Sequence, residues 1–331
     1  MDSQSGQLNR RSKLQFSKLA VYWAVLTFAL ALFWTTVLNA LRFRGPFAGL
    51  SLGVPVAVGG LLAFVLYRLR DHQVLEYDGN GYRVSRGKTA IEEHAWSEFK
   101  ECSIIRDSVG KTRVRAYTER DGPHVDIDSS ASGVDPYLFR DFAEARMKRA
   151  TVHDYSSLGG YLFDGLEREI QRGRTNWVAD LNETSRMYDI SGESFPLVAK
   201  GNTRPKGFLL SRFVAFTVMP DYQVCLYASN AKGSGGEAKS NLMRLLRIIE
   251  TQRDQKEIKW SWLLLFSEHE APESLAKTIE TFGNKDVGIG CIEIDTGRML
   301  TSPNQLGKSL SNQMRFNKLI RDLNKKRQAA S

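Results

Sequence analysis

Cysteine and histidine are scarce in this chain of 331 residues: there are three of the first and five of the second. Cys102, Cys225 and Cys291 are odd in number, far apart and without any C-x-x-C pairing. A disulfide framework and a zinc knuckle are therefore excluded. His72, His94, His124, His153 and His269 show no H-E-x-x-H or other ligand spacing. The chain reads as reduced and metal-free, and no motif in it calls for a resident cofactor.

Acidic residues are nearly missing from both ends. Residues 1–70 hold eight Lys/Arg and one acid, Asp2, and residues 298–331 hold eight Lys/Arg and one acid, Asp322. The overall charge of +9 thus arises at the termini, and 71–297, with 30 basic and 35 acidic residues, is mildly acidic. That distribution argues against a broad nucleic-acid-binding face over the whole protein. Apolar residues at 42% and charged residues at 25% are ordinary globular values and exclude a disordered or collagen-like chain. The mean hydropathy of −0.32 excludes a polytopic membrane protein. The length predicts two or three folded units.

What stands out instead is two long uncharged runs, Leu19 to Leu41 and Gly45 to Tyr67, separated by Arg42-Phe43-Arg44. Each is 23 residues, about 34 Å as a helix, enough for a hydrocarbon core of about 30 Å. They exceed a signal-peptide h-region, and the first lacks a small-residue cleavage site. The expectation is a transmembrane hairpin over 19–70 (spans 19–41 and 45–67) after a basic segment, 1–18. Arg10, Arg11, Lys13, Lys18, Arg68 and Arg70 outnumber Arg42 and Arg44, which places both termini on the cytoplasmic side of the inner membrane. Gly49-Leu50-Ser51-Leu52-Gly53 matches a G-x-S-x-G nucleophile pattern but lies inside the second run, without the strand-to-helix elbow the chemistry needs.

From Val74 the pattern turns to short alternating segments: VLEYD, a Gly79-Asn80-Gly81 turn, YRVS, TAIEEHAW, ECSIIRD, TRVRAYT and HVDID. A helix beginning at Asp135-Pro136 closes the series. The stretches YDGNGYRVS, HAWSEFKECSII around Trp96, and VDIDSSASGVDPYLFRDFAEAR resemble those of bacterial PH-like (pleckstrin-homology-like) two-span membrane proteins. The resemblance implies a small PH-like β-barrel with a C-terminal helix over 72–150, serving binding or assembly rather than catalysis. Arg83, Arg86 and Lys88 are turn charges, or a small headgroup-facing cluster.

Residues 151–194 read as a helical linker: Leu158, Leu162, Leu166 and Ile170 recur every four residues, and Asn176–Glu193 has little period. Over 195–331 strands and helices alternate, predicting a cytoplasmic α/β domain with a mixed sheet. FLLSRFVAFTVM and YQVCLYAS read as strands joined at Pro220-Asp221, NLMRLLRIIETQ as a helix, WSWLLLF as a strand buried on both faces, ESLAKTIETFG as a helix, and VGIGCIEID as a strand.

Two chemistries compete there. Gly233, Gly235 and Gly236 followed by Lys239 and Ser240 lie between a strand and a helix, as a phosphate-binding loop does. Ala238 stands where that motif needs its second glycine, and a flexible Gly/Ser loop is the simpler reading. The order of elements also resembles the restriction-endonuclease-like superfamily, whose metal site is an Asp with an E-x-K pair on adjacent strands. Asp221, Glu237 and Lys239 match in text, but Glu237 and Lys239 fall in the loop or first helical turn. The strand itself reads Cys225-Leu226-Tyr227-Ala228. The resemblance therefore implies a decayed centre. A basic C-terminal helix carries Lys318, Arg321, Lys325, Lys326 and Arg327, suited to an anionic membrane surface or nucleic acid.

The sequence thus predicts a multi-domain, membrane-anchored adaptor or scaffold without catalysis. Its expected partners are membrane lipids, a protein on the cytoplasmic side, nucleic acid through the C-terminal helix, and a second copy of itself. A metal-dependent nuclease-like effector and a phosphate or nucleotide binder are the alternatives.

Overall fold

The computed structural model describes residues 23–34, 56–62, 73–86, 89–107, 110–147, 158–173, 179–203, 222–313 and 321. The chain divides into two compact units, one of Met1–Glu98 with Ser129–Asp135, the other of Phe99–Asp128 with Pro136–Ser331.

The first unit contains an antiparallel meander of β1 (Gln73–Tyr77), β2 (Gly81–Arg86) and β3 (Thr89–Ala95). The β1–β2 turn forms because the Asp78 carboxylate accepts from the backbone N–H of Asn80 at 2.8 Å and of Gly81 at 3.0 Å. Gly81 is required by close approach, since a Cβ there would lie 2.1 Å from the His94 carbonyl oxygen. Trp96 is buried beside this turn, donating from its indole to the Asp78 carbonyl at 2.8 Å and packing on Tyr82.

The two-span hairpin, and with it the inner-membrane address, is corrected by the structure: among the described residues no helix is long and apolar enough to cross a membrane. The first uncharged run is helical over 23–34 and the second over 56–62. At the usual helical rise these reach about 18 Å and 10 Å, short of a core of about 30 Å. The remainder of both runs lies outside the described residues. Where the two helical pieces meet, Gly59 allows the approach, for a Cβ there would be 2.7 Å from the Thr27 hydroxyl and 3.2 Å from its Cα. Val25, Phe28, Leu32, Phe33 and Leu61 are exposed.

The PH-like barrel is likewise corrected. β4 (Glu101–Arg106), β5 (Thr112–Tyr117) and β6 (His124–Ile127) form as the alternation predicts, and α1 (Pro136–Glu144) follows. They belong, however, to a different sheet from β1–β3, and the described strands close no barrel. The reason is that the free edge of β4 pairs with β7 (Ala179–Ile190), matching Ser103 with Ser185 and Ile105 with Glu183.

The result is a nine-stranded sheet in the order β12-β11-β10-β9-β8-β7-β4-β5-β6, using β8 (Glu193–Thr203), β9 (Gln223–Asn230), β10 (Trp260–Ser267), β11 (Val287–Glu293) and β12 (Met299–Thr301). β9, β10 and β11 are mutually parallel, and the other neighbours are antiparallel. β10 is buried from its second residue, Ser261, to Ser267 because it faces a helix layer on each side. Trp262, Leu264 and Phe266 enter the core under α2 (Leu158–Gln171) and α5 (Gln305–Gln313), while Leu263 and Leu265 enter the core under α3 (Gly236–Lys256) and α4 (Glu273–Glu280). FLLSRFVAFTVM lies outside the described residues.

The stretch expected to be irregular, 176–193, contains the long strand β7. Its period is masked by polar side chains with partners on neighbouring elements. Asp180 pairs with Arg106, Thr184 donates to Glu167 at 2.9 Å, and Arg186 donates to Asp164 at 2.6 Å. Arg106 also donates to the carbonyls of Ile170 and Gln171 at 3.0 and 3.1 Å, which terminates α2 against the sheet.

Candidate functional site

The glycine-rich loop sits where the reading of the sequence placed it, at the carboxyl end of β9 and immediately before α3. Gly233 and Gly235 have φ of 85° and 53°, the left-handed region that glycine enters at no steric cost. The loop is nonetheless filled from within. A Cβ on Gly233 would meet Glu237 Cγ at 2.8 Å and its Oε2 at 3.0 Å, so an acidic side chain lies over the backbone where a phosphate would have to sit. Ser240 donates to the Gly236 carbonyl at 3.1 Å, and Ser274 donates to the Gly235 carbonyl at 2.6 Å. Lys239 is exposed at the first turn of α3. The nearby cations Lys232 and Arg244 both point to Glu193, at 3.7 and 2.7 Å.

The nuclease-like set is not assembled on strands. Glu237 and Lys239 belong to α3, and Asp221 lies outside the described residues. Cys225, Leu226, Tyr227 and Ala228, on the strand itself, are all buried. Burial pushes the Cys225 thiol up to about 11, which keeps it protonated and unreactive. At the carboxyl ends of the parallel strands, where α/β sheets commonly bind ligands, the buried carboxylate of Glu293 accepts from the Ala271 N–H at 3.1 Å and the Thr296 hydroxyl at 2.8 Å. Among the described residues no group of three or more His, Cys, Asp or Glu is placed to hold a metal ion. Of the basic C-terminal residues, Arg321 is exposed, and Lys318, Lys325, Lys326 and Arg327 lie outside the described residues.

The densest cluster of perturbed ionisable groups lies elsewhere, on the same sheet face as α3. Asp121, in the β5–β6 turn, receives the ammonium groups of Lys200 on β8 and Lys256 at the end of α3, and the Tyr188 hydroxyl of β7 at 2.6 Å. Burial opposes ionisation of Asp121, but the Lys200 charge and these three donors outweigh it and hold the carboxyl well below the usual range. Tyr188 is pushed well up, by burial first and by the neighbouring Asp121 carboxylate second. Arg120 lies over the Tyr188 ring at 4.8 Å and reaches Glu101 at 3.6 Å. Glu101 is pushed up by burial, with Lys200 and Arg120 opposing. Next in line, Glu183 accepts from Ser103 at 2.9 Å and from Tyr117, and lies 3.5 Å from Arg115.

In the sequence Asp121 is only one polar residue between the segments TRVRAYT and HVDID. No local signal reveals this cluster, because Asp121 is separated from Tyr188, Lys200 and Lys256 by 67 to 135 positions along the chain.

The larger unit is thus a three-layer α/β/α fold on a mixed sheet, with its polar groups largely engaged with one another. No protein-family model matches the chain, and no curated protein or solved structure matches it.

Proposed function

We propose that this protein is a non-catalytic adaptor, a binding scaffold that brings a partner protein to its α/β unit. The observation that carries the proposal is the burial of Cys225, Leu226, Tyr227 and Ala228, each no more than 2% exposed, on the strand where a nuclease-like centre needs a carboxylate and a lysine. An acid or lysine there would have to be desolvated between two helix layers, which is costly without a partner. The carboxylates Glu293 and Glu183 fit the same reading, since each is engaged by neighbouring donors of the fold. The exposed apolar side chains of the first unit, among them Phe28, Phe33 and Leu61, are also what a binding protein presents.

A degenerate restriction-endonuclease-like ancestry is supported by one feature of the sheet. β7, β8, β9, β10 and β11 lie side by side in chain order, β8 alone running opposite to the rest. The test is incubation of the full chain with single- and double-stranded DNA and RNA in magnesium or manganese. No cleavage is expected. Cleavage that Glu237→Ala abolishes would replace the adaptor with a nuclease-like effector.

A further inference from the structure

The surroundings of Asp121 have the composition of an anion site whose anion belongs to the protein. Lys200, Lys256 and Tyr188 come from three different elements and direct three donors at one carboxylate. Two ammonium groups therefore share a single carboxylate, and Arg120 lies beside the Tyr188 ring. The neighbouring acids have cations of their own: Glu101 faces Arg120 at 3.6 Å, and Glu183 lies 3.5 Å from Arg115, which also pairs with Asp126 at 2.7 Å.

We propose that Lys200, Lys256 and Tyr188 form an oxyanion site for a phosphate group, closed in this conformation by Asp121 acting as an internal ligand. A phosphate carries about −1.5 to −2 at neutral pH and has more acceptor oxygens than a carboxylate, so it matches two ammonium groups and a phenol better than Asp121 does. The site is open to exchange with solvent: the side chains of Lys200, Asp121 and Lys256 are 27%, 30% and 37% exposed. The internal ligand stands in a turn, outside the strand ladder. Asp121 has φ of 54° and is followed by Gly122 in a turn closed by its own Gly122 N–H to Glu119 carbonyl bond. Withdrawing the Asp121 side chain alone leaves the β5–β6 ladder intact, because the paired residues end at Tyr117 and His124, and leaves Arg120 bound to the Asp189 carbonyl and Glu101. Because Asp121 is tethered, it competes at high effective concentration, so it weakens the site for external phosphate without abolishing it.

The experiment uses the full chain and inorganic phosphate, followed by calorimetry. Asp121→Gly removes the carboxylate and suits the left-handed backbone, and it should bind phosphate at least tenfold more tightly than the parent. Adding Lys200→Met to Asp121→Gly should abolish the gain. A folded Asp121→Gly chain that binds no more tightly, or a gain that survives Lys200→Met, overturns the proposal. A second measurement on the unaltered chain does not depend on that variant folding: acetylation of Lys200 and Lys256 by acetic anhydride, read by mass spectrometry. Millimolar phosphate should protect both lysines and equimolar acetate should not; absence of protection by phosphate also overturns the proposal. Protection by O-phosphoserine at lower concentration than by free phosphate would identify a phosphorylated side chain as the source.

Discussion

Arg140 of α1 and Glu167 of α2 form an ion pair with both side chains 1% exposed, the most deeply buried pair of opposite charges among the described residues. Asp141 and Thr184 complete it, at 2.9 Å from the guanidinium and from the carboxylate respectively. Removing one member strands the other in the core. Glu167→Ala and Arg140→Ala are each expected to lower unfolding stability by about 3–5 kcal/mol. The double change to Met at both positions should cost less than the sum of the two, as read by urea denaturation.

Helix α5 is seated on β11 through backbone contact. A Cβ on Gly288 would lie 2.6 Å from the Leu306 carbonyl carbon and 2.7 Å from the Gly307 nitrogen. Gly288→Ala is therefore expected to cost about 1–3 kcal/mol by overpacking. Gly236 has nothing within 4 Å of its would-be Cβ and opens α3, so Gly236→Ala should raise stability by up to about 1 kcal/mol. Opposite signs in the two melting temperatures check the pair.

Asp121 links stability to acid pH. Its folded carboxyl titrates below the unfolded value of about 3.9, so its contribution is present above that pH and disappears as pH falls through the folded value. Asp121→Asn should be less stable than the parent at pH 7, and the difference should shrink as pH is lowered below about 4, followed by thermal unfolding.

Glu101 has the opposite sign. Burial raises its folded value, so ionisation at neutral pH works against folding, and stability is regained as pH falls through that value. Glu101→Gln should stabilise the chain at pH 7 and be neutral at pH 3 in the same measurement.

The three thiols are all buried and free. Burial raises Cys102 well above the ordinary range, Cys225 to about 11 and Cys291 to about 12. Ellman's reagent at pH 8 should find no reactive thiol in the folded chain and three after denaturation. One fast-reacting thiol in the native state would show that the core around it opens.

Local chemistry carried much of the fold. The Asp78–Gly81 turn, the strands β1 to β6, the buried run of β10 and the apolar stripe of α3 all follow from short-range patterns of glycine placement, alternation and helical period. The sequence also located the glycine-rich loop before α3 and the absence of an acid–lysine pair on β9. These are properties of neighbouring residues, and neighbours are what a sequence lists.

Only the tertiary structure decided the rest. Nothing local to ECSIIRD says that β4 leaves the meander of β1–β3 and pairs with β7, because that choice depends on hydrogen bonds between residues some eighty positions apart. Nor does any window of residues bring Asp121 to Lys200, Lys256 and Tyr188. Burial and charge proximity, which set the protonation of these groups, are sums over long-range contacts and come into being only when the chain has folded.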